Sequence, residues 1–130
     1  MTDAQGMVMV GDDNQDVRDS MLLLLEVMGW SGRGFATAEA ALEEVTVNNG
    51  LTRYAIAFID VSLPGMSGIE LATRIHAESA GETRRPILVA MTGWGSVDDR
   101  TQTLAAGFDE HVIKPLDVPG LQQLLAKAVN

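Results

Sequence analysis

The 130-residue sequence contains no cysteine. That excludes disulfides and thiolate metal sites and suits a reducing compartment. Basic residues are scarce: 9 Lys and Arg stand against 18 Asp and Glu, a formal net charge of −9. A chain of that sign repels phosphate backbones, so direct nucleic-acid binding is not expected. Long hydrophobic runs are missing too. The strongly apolar stretch Met21 to Leu25 ends at Glu26, far short of the roughly 20 residues that cross a bilayer. No basic start precedes an apolar segment at the N-terminus, so no signal peptide is visible and the cytoplasm is the expected setting. Glycine-rich phosphate loops are incomplete: "GRGF" follows a helix pattern rather than a strand, and "GWG" carries no lysine behind it. What the chain has in quantity is apolar residues, 46% of the total, enough for the core of one domain.

Those apolar residues come in short runs. "MVMV" at 7–10, "YAIAFI" at 54–59 and "ILVA" at 87–90 read as strands buried on both faces; "WSGRGFAT" holds a weaker second strand and "EHVIK" a short fifth. Helices are predicted over about 15–28, 38–47, 67–79, 96–106 and 118–129. The first repeats Val17, Met21, Leu24, Leu25 and Met28 on one face, with Asp13 or Asn14 as its cap and Gly29 as its stop; the last aligns Leu121, Leu124, Leu125 and Val129. Residues 1–6 form a flexible lead. Strand and helix alternate five times without an internal boundary. The expected fold is α/β: one domain over 1–130, a five-stranded parallel sheet in a flavodoxin-like three-layer sandwich, with the strand order 2-1-3-4-5 taken as an assumption.

The polar residues then gather. Strand one runs into Asp12 and Asp13, strand three into Asp60, strand four into Thr92 and strand five into Lys114. In an open parallel sheet these positions share one rim, where ligands bind at the reversal of strand order. Two carboxylates 4 Å apart repel by about 4 kcal/mol at an effective dielectric near 20. A hard divalent cation with oxygen ligands offsets this, and Mg²⁺ suits a site with few protein ligands. A backbone carbonyl at Ser62 is available to it.

The pieces "VGDDN", "FIDVSLPGMSG", "AMTGWG" and "GFDEHVIKPL", in this order and spacing, resemble the response-regulator receiver domain of two-component signalling, over about residues 7–129. The resemblance implies a phosphoacceptor at Asp60, and Mg²⁺ (or Mn²⁺) held by Asp12, Asp13, Asp60 and the backbone carbonyl of Ser62. It implies a phosphoryl-contacting hydroxyl on Thr92 and a pairing cation on Lys114, with a cis peptide between Lys114 and Pro115. The partner it implies is a histidine kinase or histidine phosphotransfer domain. The output is a change on the face made by the fourth predicted helix, the fifth strand and the closing helix. Such a module acts chemically only on its own aspartate, and either stands alone or belongs to a hybrid kinase. A monomer is expected when it is unphosphorylated, with no membrane insertion.

One position departs from the family. Three residues before the lysine, where Tyr or Phe is usual, stands His111. It completes a switch with Thr92 and raises the question of a pH-dependent amplitude. Trp94, two residues past Thr92, stands where the family often controls water access. His76 lies inside a helix pattern with no second histidine nearby, and reads as a solvated residue. The block Leu22–Leu25 exceeds what one helix face buries, leaving its outer members available to a helical phosphodonor. Two other functions share the α/β pattern. A haloacid-dehalogenase-like aspartate-nucleophile phosphatase needs a second acid two residues after the nucleophile, where Ser62 stands. A flavodoxin-like FMN carrier needs a phosphate loop after strand one, where "GDDNQD" stands instead.

Overall fold

The computed structural model describes residues 6–48, 50–82, 85–93 and 97–128, less the side chains of 97–99. Trp94, Val129 and residues 1–5 of the expected lead lie outside the described residues. The elements run β1 (Met7–Gly11), α1 (Gln15–Val27), β2 (Ser31–Phe35), α2 (Ala38–Val47), α3 (Gly50–Arg53), β3 (Tyr54–Asp60), α4 (Gly68–Glu78), β4 (Ile87–Thr92), α5 (Val97–Ala105), β5 (Glu110–Ile113) and α6 (Val118–Ala128). The single-turn helix α3 interrupts the expected simple alternation. At four residues it shows no periodicity to read.

The five strands form one sheet in the order β2-β1-β3-β4-β5, parallel throughout. Alternate side chains of β1, β3 and β4 enter two cores. Val8, Val10, Ile56, Phe58, Val89 and Met91 meet Met21 and Leu25 of α1, Trp30, and Leu121, Leu124 and Leu125 of α6. Met9, Ala57, Ile59, Leu88 and Ala90 meet Ala41 and Val45 of α2 and Leu71 and Ile75 of α4. Burial on both faces explains why the central strands read as unbroken apolar runs. It is a three-layer arrangement, as expected.

Local chemistry sets the helix ends. Asn14, not Asp13, caps α1: its side-chain oxygen accepts the Val17 N–H at 3.1 Å. Thr37 and Ser67 do the same for α2 and α4. Gly29, with φ of +89°, occupies the left-handed region just beyond α1, where glycine avoids the Cβ clash. These caps fix where each helix departs from the rim carrying the acids.

Candidate functional site

Each acid reaches the rim because its strand ends there. Asp12 follows β1, which pairs Gly11 with Ile59 of β3. Asp60 closes β3, and the next residue stays in register: the Val61 N–H donates to the Met91 carbonyl of β4 at 3.1 Å. The chain then turns hard through "LPGMSG". Gly68 opens α4 directly behind the acid, and a Cβ there would sit 2.3 Å from the Asp60 carbonyl oxygen. Only glycine fits, which answers for the last residue of that motif. The Lys114 N–H donates to the Thr92 carbonyl at 2.7 Å, carrying β5 to the same rim, and the Lys114–Pro115 peptide is cis.

Three carboxylates meet as a result. Asp12, Asp13 and Asp60 each place one oxygen within 4.8 Å of the others. Asp12 is fully buried and Asp60 is 5% exposed, while Asp13 faces solvent. Backbone donors hold the buried pair: Asn14 N–H reaches Asp12 Oδ1, and Ser62 N–H reaches Asp60 Oδ1, both at 2.9 Å. Arg18 Nη1 donates to the Asp12 carbonyl at 2.8 Å, tying α1 to the end of β1. Lys114 Nζ bridges the remaining oxygens, 3.0 Å from Asp12 Oδ2 and 3.2 Å from Asp60 Oδ2. Burial works against the charge on Lys114, but its bonds to Asp12 and Asp60 overcome that and leave its pKa raised.

Among the described residues, Lys114 therefore pairs with two of the three acids. The donor set is all oxygen, the spacing is compact, and Asp13 opens it to water. This fits a hard divalent ion that keeps part of its hydration shell. Beside it lies a pocket lined by Val61, Ser62, Thr92, Gly93 and Thr103. A Cβ at Gly93 would meet no described atom within 4 Å. Thr92, at the end of β4, is 4% exposed, and its Oγ1 lies 3.4 Å from His111 Nε2.

The receiver-domain model, "Response regulator receiver domain", matches residues 8–126. The chain belongs to this family. Among relatives, a 14.6 kDa protein from Leptolyngbya boryana is 33% identical over 88% of this chain and 82% of its own length. The transcriptional regulatory protein FixJ of Bradyrhizobium diazoefficiens is 31% identical over 97% of this chain but only 58% of its own. Among solved structures, the receiver domain of Ssk1 from Saccharomyces cerevisiae, crystallised with the histidine phosphotransfer protein Ypd1, superposes with a TM-score of 0.83. It is 22% identical, with 94% of this chain and 87% of that one covered. This receiver domain thus has the fold and the acidic pocket of two-component signalling, and neither the phosphatase nor the FMN reading is favoured.

The structure brings together Asp12, Asp13, Asp60 and Lys114, and sets Thr92 beside His111. His76 is exposed on α4 away from them, lying over Gly107. Sequence reasoning did not single out Thr103, whose Oγ1 is 2.9 Å from His111 Nδ1. Nor did it give Arg18 a role at the acid rim. Both belong to helices whose facing is set by packing, and neither carries a motif of its own.

Proposed function

We propose that Asp60 is the phosphoacceptor of a phosphorelay. Its carboxylate attacks phosphorus on a phosphohistidine donor; the new O–P bond forms as the N–P bond breaks, and the electron pair leaves with the donor imidazole. Asp12, Asp13, Asp60 and the Ser62 backbone carbonyl would hold Mg²⁺ (or Mn²⁺), which supplies positive charge to the phosphoryl oxygens. Lys114 pairs with the same group, and the Thr92 hydroxyl donates to it. Ser62 and Asn14 keep Asp60 and Asp12 oriented through their backbone N–H groups. Thr92 and His111 then change the α5–β5–α6 face.

The observation that carries this reading is the convergence of three carboxylates at the strand C-termini, two of them bridged by Lys114. The donor is a histidine kinase or histidine phosphotransfer domain, a reading supported by the Ypd1 complex of the Ssk1 receiver. We take residues 1–130 as one receiver domain, cytoplasmic and monomeric when unphosphorylated, acting chemically on its own aspartate alone. Among the described residues no helix is long and apolar enough to cross a membrane. Incubation with acetyl phosphate and Mg²⁺ should give a labile phosphoryl adduct by mass spectrometry, not formed when the metal is chelated beforehand and absent from Asp60→Asn. An adduct of equal yield on Asp60→Asn would refute the assignment.

A further inference from the structure

We propose that Thr103 is a positioning residue: it holds His111 as the Nδ1–H tautomer, so that His111 Nε2 takes the hydrogen of the Thr92 hydroxyl away from the phosphoryl pocket. The proposal rests on the phosphoacceptor reading for its consequence, but its geometry is independent of it. Thr103 lies on α5 and is 1% exposed. Its hydroxyl has a single hydrogen. That hydrogen goes to the Arg100 carbonyl at 2.9 Å, an oxygen with no hydrogen to offer in return. The 2.9 Å contact between Thr103 Oγ1 and His111 Nδ1 then requires the ring to be the donor. A neutral imidazole carries one N–H, so Nε2 presents a lone pair. Thr92 Oγ1 stands 3.4 Å from it and is left as the donor.

A competition follows. Thr92 has one hydroxyl hydrogen, claimed by His111 Nε2 at rest and by a phosphoryl oxygen after transfer. The resting bond is long and therefore weak, so it biases the equilibrium without locking it. Without the Thr103 hydroxyl the ring is free to take the Nε2–H form. It then donates to Thr92 Oγ1, and the Thr92 hydrogen is released to the phosphoryl group. A side chain on α5, which never touches the pocket acids, thereby sets how readily Thr92 engages.

The test combines a spectrum and an affinity. Long-range ¹H–¹⁵N spectra of the free protein, assigned with His76→Gln, should show neutral His111 with hydrogen on Nδ1. Thr103→Val should move the population to Nε2–H, and Thr103→Ser should restore it. Beryllofluoride affinity in Mg²⁺ should rise in Thr103→Val by roughly 2- to 10-fold, the worth of one ordinary hydrogen bond, and return to the wild-type value in Thr103→Ser. A merely structural role for Thr103 predicts a fall instead. An Nε2–H ring in the wild type, or an affinity unchanged or lowered in Thr103→Val, overturns the proposal. The wild-type spectrum decides it even if the valine variant fails to fold. Failure of the wild type to bind beryllofluoride, with the tautomer as described, sinks the phosphoacceptor reading instead.

Discussion

Lys114 is a single ammonium group shared by two buried carboxylates. Breaking a buried ion pair leaves the partner charge without compensation, at about 3 to 5 kcal/mol when burial is complete. Lys114 itself is 23% exposed, so solvent recovers part of that loss. Lys114→Met is expected to lose about 2 kcal/mol of stability at neutral pH, measured by urea unfolding. Added Mg²⁺ should restore more stability in the variant than it adds to the wild type. The sign is fixed by the raised pKa of Lys114: its stabilisation is in full force below the ordinary lysine value of 10.5 and is lost only as pH climbs through the raised one. Equal Mg²⁺ responses in the two proteins would show that the lysine does not offset the acids.

Between elements, the opposite end of the sheet has its own ionic knot. Glu44 of α2 is 3% exposed. It accepts from Tyr54 Oη of β3 at 2.6 Å, Arg33 of β2 at 3.1 Å and Asn48 Nδ2 at 3.1 Å, with Arg53 of α3 at 3.5 Å. The Tyr54 bond holds the Glu44 pKa below its ordinary 4.5 against the opposing effect of burial, aided by Asn48, Arg33 and Arg53. Burial and Glu44 push the Tyr54 hydroxyl up to about 12. A lowered carboxyl pKa contributes stability above pH 4.5 and loses it as pH falls through the folded value. Glu44→Gln should therefore cost about 2 kcal/mol at pH 7, with the gap to wild type narrowing in acid; a gap independent of pH would exclude the charge as its source. None of this knot was legible in the sequence. Its members are separated along the chain, and no spacing rule joins Arg33, Glu44 and Tyr54. The strands and the rim acids were legible, because a strand buried on both faces shows as an apolar run and the polar residue closing it shows by contrast; their order was an assumption that no apolar run could supply, and the sheet bears it out. Asp12, Asp60 and Lys114 stand out in this way, whereas Thr103 sits in a polar helix and does not.

At the scale of the whole molecule, two cores share one sheet and the net charge is −9. Folding brings three acids of one sign together, so an ion that binds only the folded state should stabilise the entire domain by mass action. At tenfold excess over its Kd that amounts to about 1.4 kcal/mol, or roughly 5 °C in melting temperature for a domain of this size. Differential scanning calorimetry should show this rise with Mg²⁺ and little of it in Asp13→Asn, whose exposed side chain can lose its charge without opening a cavity. The Lys114–Asp12 bond spans 102 positions along the chain, and this has a bearing on synthesis. While the ribosome is still adding β5, the emerging polypeptide already holds Asp12 and Asp60 without the Lys114 ammonium that pairs with them. Lys114 can join the pocket only once the segment after β5 has been made, so a chain stopped before that point keeps Asp12 and Asp60 without the ammonium that bridges them.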